Sequence, residues 1–306
     1  MTMARVRVRG IYATALTARL LDAGHEAVDA SAPIRRRFDA AFPDEPPDVR
    51  IETSRDRQGV GASGDPDALD AVREILIDAG RDAMAWPDPT PPGAVLDGEV
   101  TEALGGGAVV RLRAGDGETA EGYLPYGDVD ARVETGDAVR VQVRESAAPW
   151  TDRRPELAGA LRVGGDLVAL EPGSGTRVDV RSDEAARELS GMLDLLDLDP
   201  PDGWRAVWKP PAVEAGTESL TAGLDDAVAA AEELRAATGG EREGAGSGLG
   251  VLDDRGRLRD APLAAPNAGV WVWFGRESRG GLDDARRTAT ATMPGHHRVK
   301  AGSQSA

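Results

Sequence analysis

The residues from Gly93 to Pro172 constrain the fold most, because apolar and polar side chains alternate there through short segments separated by glycine turns. Alternation with a period of two is typical of β-strands that bury one face. Successive strands of this length, joined by turns, predict a small closed barrel. The five predicted strands are PGAVLDGEV, GGGAVVRLR, TAEGYLPYGDV (which runs into a short helical turn), GDAVRVQVRES and LVALEP.

The predicted barrel resembles the S1 RNA-binding domain, which is an OB-type barrel. The matching residues are Gly98, the run Gly122-Tyr123-Leu124-Pro125, the turn at Asp128, and Gly136-Asp137 before Val139, Val141 and Val143. Because OB-type barrels stack bases on the face made by their second and third strands, the resemblance predicts that Tyr123 contacts RNA, with Tyr126 just beyond it. The alternative is a core tyrosine with its hydroxyl at the rim. The chain departs from the S1 pattern at Val109 and Val110, where an aromatic residue is usual.

Two groups of arginines are predicted to contact RNA, because guanidinium groups bind phosphate in a bidentate manner and stack on bases. In the barrel they occupy alternating positions of the second and fourth strands and could line the groove: Arg111, Arg113, Arg140 and Arg144. Near the start of the chain, alternation with two valines places three on one strand face: Arg5, Arg7 and Arg9. For both groups the alternative is a solvated face, paired in the second group with nearby carboxylates.

Segments on both sides of the barrel resemble an archaeal ribonuclease E/G-like family of AU-rich-RNA-binding proteins. Residues 4–60, with ARVRVRGIYATALTARLLDAGHEAV and PPDVRIETSRDRQGV, resemble the start of that family. Residues 157–236 resemble the segment that follows the S1 domain in ribonucleases E and G, and MPGHHRVKAG fits the same family. The resemblance implies an endoribonuclease that binds single-stranded AU-rich loops and acts on precursor ribosomal RNA in its maturation or degradation. It implies a need for Mg²⁺ only if the chain is catalytic.

The resemblance also implies a mixed α+β fold, in which an OB-type (S1-like) five-stranded barrel is inserted in or beside a ribonuclease-H-like α/β body. The predicted domains are an N-terminal α/β unit at 1–92, the barrel at 93–156, a ribonuclease E/G-like α/β region at 157–297 and a tail at 298–306. Family members continue past PGHH into a C-terminal domain that this chain is expected to lack. Catalytic residues are therefore unassigned, and a non-catalytic RNA-binding module is the alternative.

Capping residues predict the helices outside the barrel. Gly24 is expected to end the first helix in the left-handed C′ position. Asp65 as N-cap and Pro66 in the first turn predict a helix over Asp67–Ala79. Other helices are predicted over Ser182–Leu195, Thr221–Ala237 and Leu282–Thr288.

The run Gly59-Val60-Gly61-Ala62-Ser63-Gly64 matches the pattern G-x-G-x-x-G, follows a predicted strand and precedes a helix. That context is the one a dinucleotide-binding loop needs, and a helix N-terminus can bind any phosphate. No strand and helix lead into a Rossmann sheet with the expected acidic residue. A nucleotide-binding enzyme that uses Gly59 to Gly64 is therefore a minor alternative, beside RNA phosphate contact and an ordinary loop.

Composition narrows the remaining function classes. The chain has 306 residues and a net charge of −17, and only Lys209 and Lys300 among its 36 basic residues are lysines, a balance associated with proteins that work in concentrated salt. Near 1 M salt the Debye length is about 3 Å, so this charge hardly repels RNA. The absence of cysteine excludes disulfides and thiol nucleophiles. The sequence shows no membrane span or signal peptide, which predicts a cytoplasmic location.

No metal site is predicted. Two-metal hydrolysis of a phosphodiester needs several converging carboxylates. Asp253-Asp254 and Asp283-Asp284 are typical of loops or helix starts, and the adjacent His296 and His297 would point apart. The apolar run that holds Trp271, Trp273 and Phe274 is predicted to be core rather than a base-binding stripe.

Overall fold

The computed structural model describes residues 3–115, 118–128, 133–165, 167–196, 198–237, 250–251 and 268–291. These residues form two compact units, one from those within Met1–Pro87 and Ala268–Ala306, and the other from those within Asp88–Asn267. Helices and strands are mixed in the chain, as predicted. In the parts described, no helix combines the length and apolar character that a membrane span requires.

The first unit begins with a strand whose valines are buried and whose arginines face outward, as the alternation predicts. Gly24 follows the first helix with a φ of 82°, which confirms the predicted C′ residue. The Asp65 carboxylate accepts the Ala68 N–H at 3.0 Å, which confirms the predicted N-cap. The elements are β1 (Arg5–Arg9), α1 (Ala13–Asp22), β2 (Glu26–Ala27), α2 (Ala32–Arg35), β3 (Val49–Thr53), β4 (Gly59–Gly64), α3 (Pro66–Ile77) and β5 (Met84–Pro87).

The second unit opens with the closed five-stranded barrel, made of β6 (Val95–Ala103), β7 (Gly107–Gly115), β8 (Glu118–Pro125), β9 (Ala138–Glu145) and β10 (Glu156–Ala158). β6 pairs with β7 and β9, β7 pairs with β8, and β10 closes the ring by pairing with β8 and β9. Leu157 fills the interior where Gly122 has no side chain, since a Cβ there would lie 2.6 Å from the leucine.

The prediction that LVALEP forms the fifth barrel strand is wrong. The three-residue β10 takes that place, and Val168–Pro172 belongs to a separate sheet of four strands. A strand of three residues is too short to show alternation, so no local pattern predicts it. The longer apolar run was the stronger signal, but it buries its side chains in another core.

The rest of the second unit is a four-stranded sheet covered by helices. Ser182 accepts the Ala185 N–H at 3.4 Å as the predicted cap, but the helix stops at Ser190 and a second one starts after Gly191. The sheet has the order β11-β12-β14-β13, and the last strand of this region, β15, pairs with β9 of the barrel. The elements are β11 (Val163–Gly164), β12 (Val168–Pro172), β13 (Thr176–Val178), α4 (Asp183–Ser190), α5 (Met192–Leu196), β14 (Trp204–Trp208), α6 (Thr217–Ala237) and β15 (Gly250–Val251).

The chain then returns to the first unit through β16 (Ala268–Trp273) and α7 (Arg276–Ala291), a helix much longer than the predicted one. β16 lies between β4 and β5 in a six-stranded sheet of order β2-β1-β3-β4-β16-β5. Val270 is the register partner of Pro87, so the sheet joins residues that precede the second unit in the sequence to residues that follow it. The first unit is thus completed by residues far away in the sequence.

The glycine-rich run at 59–64 is a central strand and not a phosphate-binding loop. It is paired on both sides, with β3 and with β16. A Cβ at Gly61 would lie 3.0 Å from the ring of Trp271, and one at Gly64 would lie 2.0 Å from the Asp48 carbonyl oxygen. These two glycines make room for an indole and for a neighbouring strand, so the nucleotide-binding interpretation is wrong.

Some predictions fall on residues that the structure does not describe. They are the pair Asp253-Asp254 and the PGHH segment with His296 and His297.

Candidate nucleic-acid interface

Tyr123 lies on the outer face of the barrel at the centre of the predicted surface. Its neighbours in β8 point inward: Leu124 is in the barrel core, and the side of Gly122 faces Leu157. Its register partner in β7 is Val109, while Val110 belongs to the core. Alternation therefore directs the Tyr123 ring away from the core, and the ring is half-buried.

The β6–β7 hairpin fixes the position of the Tyr123 ring. A Cβ at Gly107 would lie 2.7 Å from both Cζ and Oη of Tyr123, so the hydroxyl end of the ring rests on glycine backbone. The backbone N–H of Tyr123 also donates a hydrogen bond of 2.8 Å to the Pro155 carbonyl. The glycine backbone thus supports the ring from one side, and part of the ring remains exposed.

Arg111 is the barrel arginine best placed to bind phosphate beside Tyr123. Its register partner is Glu121, which places it diagonally opposite Tyr123, within reach of a long side chain. Arg111 is exposed and has no ion pair to any described residue. Glu121 instead pairs with Arg154 at 3.1 Å.

The other predicted barrel residues have different surroundings. Arg113 is half-buried, and Arg144 is exposed and lies 3.9 Å from Glu156. Tyr126 packs against the barrel core with part of its surface exposed, and its N–H donates to the Gly106 carbonyl at 3.1 Å.

Arg140 does not line an open groove as predicted, because its side chain is buried. Its Nε donates to Asp97 Oδ1 at 2.8 Å, and the two side chains are 6% and 0% exposed. Register pairing between β6 and β9 places these two residues opposite each other. The pair therefore stabilises the barrel wall.

The arginines of β1 are engaged by carboxylates, which was the alternative considered for them. Arg5 donates to Asp48 at 2.6 Å, while Arg7 and Arg9 share the Asp29 carboxylate at 3.4 and 2.9 Å. Burial alone would raise the pKa of Asp48, but the hydrogen bonds from Arg5 hold that pKa below its usual value. Any RNA phosphate at this face would have to compete with these pairs.

A cluster that sequence reasoning missed lies on the four-stranded sheet, where three arginines surround one buried carboxylate. Glu171 is 4% exposed and accepts hydrogen bonds from Arg162, Arg177 and Arg205. The only sequence signal was a glutamate at the end of the apolar run LVALEP. Its partners lie 6 to 34 residues away, so no local pattern connects them.

Two of the three aromatic residues predicted to be core, Trp271 and Phe274, are buried in the first unit. Phe274 is fully buried and packs edge-on against Tyr12 at 5.2 Å, and Trp271 is 9% exposed. Trp273 is less buried and donates its Nε1–H to Gln58 at 3.2 Å. The interpretation of this run as core is therefore confirmed for Trp271 and Phe274 but not for Trp273.

Within the described ranges, no three His, Asp or Glu side chains come close enough together to hold a metal ion. Asp283 instead pairs with Arg286 and Arg287 on α7. The described residues therefore contain no ready-made cluster of protein ligands for Mg²⁺.

Comparison with known proteins gives consistent relatives, although no protein-family model matches the chain. A protein of Natronomonas pharaonis named probable ribonuclease FAU-1 is 47% identical over 301 residues, which are 98% of this chain and 60% of that protein. A protein of Haloarcula marismortui with the same name is 48% identical over 307 residues, again 98% and 60% of the two chains. A more distant relative from Thermococcus kodakarensis, also named probable ribonuclease FAU-1, is 28% identical over 312 residues.

The chain spans about 60% of the length of the curated relatives it matches. Nearly all of its own length is covered in each case. Over that length, the chain is similar to the probable ribonuclease FAU-1 proteins of halophilic archaea.

Proposed function

We propose that this chain is an RNA-binding ribonuclease that cleaves within precursor ribosomal RNA in its maturation or degradation, and that it binds single-stranded AU-rich loops. The observation that carries the proposal is the outward-facing Tyr123 beside the exposed Arg111, which forms no ion pair with any residue that the structure describes. The names of the relatives support an RNA substrate. The preference for AU-rich loops, the ribosomal target and the cytoplasmic location rest on the resemblance and the sequence alone.

The proposed mode of binding depends more on stacking than on long-range charge. Concentrated salt removes most of the counterion-release contribution to RNA affinity, and a net charge of −17 gives no general attraction. Stacking of a base on an aromatic ring contributes about 1–3 kcal/mol and is not removed by salt screening. A ring fixed by Gly107 loses little freedom when a base binds, which favours binding further.

Within this proposal, the barrel is an S1-type domain and the six-stranded unit is a ribonuclease-H-like body related to that of ribonucleases E and G. The closed five-stranded ring and the completion of the first unit by β16 and α7 are compatible with that arrangement. The domain boundaries after residues 92, 156 and 297 stay predictions.

A second candidate function is a non-catalytic RNA-binding module. It is favoured by one observation, the lack of a cluster of potential metal ligands in the residues described. The two candidates differ in whether RNA is cut by the chain itself.

The experiment incubates an end-labelled stem-loop RNA with an AU-rich loop and the purified chain in concentrated KCl, with and without Mg²⁺. A stem-loop of equal length with a GC-rich loop is the matched control. Native gels report binding, and denaturing gels report cleavage.

We expect a shifted band with the AU-rich loop and a weaker one with the control. Mg²⁺-dependent cleavage would locate a nuclease active site in this chain, whereas binding without cleavage would support the module. If neither RNA is shifted, the proposed function is wrong.

A further inference from the structure

The arginines around Glu171 are more numerous than its burial requires. Removing a carboxylate from water is costly unless the charge is paired, and one bidentate guanidinium already supplies a full opposite charge. Arg205 alone supplies that opposite charge, with Nε at 2.7 Å and Nη2 at 2.6 Å from the same oxygen, Oε1. Arg162 donates to the other oxygen, Oε2, at 2.7 Å, and Arg177 adds a third guanidinium at 3.1 Å from Oε1. The surplus guanidinium charge indicates a role beyond neutralising Glu171.

The three guanidinium groups are held in place but remain accessible. Their side chains are 36–39% exposed, whereas Glu171 beneath them is 4% exposed. Arg205 runs along Gly173, where a Cβ would lie 3.1 Å from its Cδ. Arg177 also donates from Nε and Nη2 to Asp179, both at 2.9 Å. Groups fixed in this way lose little conformational entropy when they bind an anion.

The local charge fits a single negative group. Three guanidinium groups face two carboxylates, Glu171 and Asp179, so the cluster keeps one positive charge in a chain whose net charge is −17. An internal phosphodiester of RNA carries one negative charge, while a terminal phosphate carries about 1.5 to 2. The cluster therefore matches the backbone of RNA better than it matches an RNA end.

The cluster is connected directly to the barrel. Gln142 of β9 donates from Nε2 to the Arg162 carbonyl at 2.7 Å, and its Oε1 accepts the Arg162 N–H at 2.8 Å. The backbone that carries Arg162 is thus fixed to the barrel wall. An RNA strand held by the barrel has this positive surface within the same compact unit.

We propose that Arg162, Arg177 and Arg205, held on Glu171, form a second RNA-binding surface that contacts internal phosphodiester groups. The proposal rests on the proposed function, because it takes the same single-stranded RNA as ligand. It adds a site on the four-stranded sheet, apart from the stacking residue Tyr123.

The test measures the affinity of the full chain for a fluorescent single-stranded RNA across a series of KCl concentrations. Arg177→Gln removes one guanidinium from the cluster, and Arg73→Gln is the matched control, since Arg73 is similarly exposed at 42% and pairs with Glu74 on α3. Asp179→Asn removes a carboxylate and keeps every arginine. Thermal unfolding of each variant confirms that it is folded.

We expect Arg177→Gln to weaken binding about tenfold, as for loss of a charged hydrogen bond, and to reduce the slope of log K against log salt by about 0.7. Asp179→Asn should tighten binding, a change that structural damage would not produce. The Arg73→Gln control should bind as the wild type does.

RNA binding by the wild type separates a missing second surface from a wrong proposed function. If the wild type binds no RNA, the proposed function itself is wrong. If the wild type binds but Arg177→Gln and Asp179→Asn both have its affinity, the second surface does not exist. The same RNA with a 5′-hydroxyl or a 5′-phosphate separates the two phosphate sources, and an Arg177→Gln effect confined to the 5′-phosphate would overturn the assignment to internal phosphodiesters.

Discussion

At the scale of single residues, burial separates the arginines that stabilise this protein from those that are available to RNA. Arg140 is enclosed with Asp97 in the barrel wall, whereas Arg111 stands exposed two positions along β7 from Val109. Both occupy alternating strand positions in the sequence, so the pattern alone could not distinguish them. The difference lies in what covers each side chain in the folded chain.

The buried pair gives a prediction on stability. Asp97→Ala removes the carboxylate that Arg140 contacts at 2.8 Å and leaves a buried cation, so we expect a loss of about 3–5 kcal/mol in the free energy of unfolding. Glu74→Ala breaks the exposed pair with Arg73 and should cost about 1 kcal/mol or less. Denaturant unfolding in constant salt measures both, and equal losses would contradict the assigned role of the buried pair.

His25 gives a prediction on pH. It is 5% exposed, its Nδ1 accepts the Ala4 N–H at 3.1 Å, and burial lowers its pKa from the ordinary 6.5. As pH falls below about 6.5, the unfolded chain takes up a proton that the folded chain refuses. The free energy of unfolding should therefore keep the whole contribution of His25 above that pH. Below it the free energy should decrease, by at most about 1.4 kcal/mol per pH unit.

The control for His25 is His25→Gln, which offers a neutral acceptor and has no proton to take up in this range. Its free energy of unfolding should show no slope between pH 6.5 and 5 from this position. Asp48, whose pKa lies below its usual 3.8, affects stability only at more acidic pH. An equal slope in the wild type and His25→Gln would show that another group is responsible.

At the scale of secondary-structure elements, local patterns predicted the elements that carry their own signal. The four long barrel strands follow from alternation, and α1 and α3 follow from Gly24 and Asp65. The glycines of β4, by contrast, predict a loop, because their spacing suits a phosphate-binding turn. Their actual role depends on Trp271, about two hundred residues later, which no local window contains.

The candidate site divides in the same way. The position of Tyr123 could be predicted from the sequence, because strand alternation alone places its side chain on the outer face of the barrel. The arginine cluster was not predictable, since its members come together only when β12, β13 and β14 pair and place Glu171 opposite Arg205.

The contact between β4 and β16 gives a prediction about the packing of secondary-structure elements. Gly61→Val places a branched side chain where even a Cβ would lie 3.0 Å from the Trp271 ring, so we expect a loss of about 1–3 kcal/mol in stability. Gly105→Ala is the control, since nothing lies within 4 Å of a Cβ there. If Gly61→Val unfolds at the wild-type denaturant concentration, the packing of Trp271 over β4 is incorrect.

At the scale of the whole molecule, the second unit begins and ends at neighbouring strands of the first. β5 and β16 pair in an antiparallel manner, with Pro87 opposite Val270. The chain therefore leaves the six-stranded sheet and re-enters it at nearly the same place. An insertion with close ends can be removed without stretching the remaining chain.

This topology predicts that the first unit folds by itself. Replacement of Asp88–Asn267 by a hairpin turn of about four residues should leave a chain that unfolds cooperatively and keeps helix and strand signals in circular dichroism. A matched deletion that also removes β16 takes away a central strand and should not fold. Non-cooperative unfolding of the first variant would contradict the assignment of β16 to this sheet.

The most direct measurement is the Kd of a fluorescent single-stranded AU-rich RNA in concentrated KCl for the wild type, Tyr123→Phe and Tyr123→Ala. Phenylalanine keeps the ring, and alanine removes it without touching the barrel core. We predict that Tyr123→Phe binds nearly as the wild type does, and that Tyr123→Ala weakens binding by about tenfold or more, as expected for the loss of one stacked base. Wild-type affinity in Tyr123→Ala would contradict the proposal that the outer face of this barrel binds RNA.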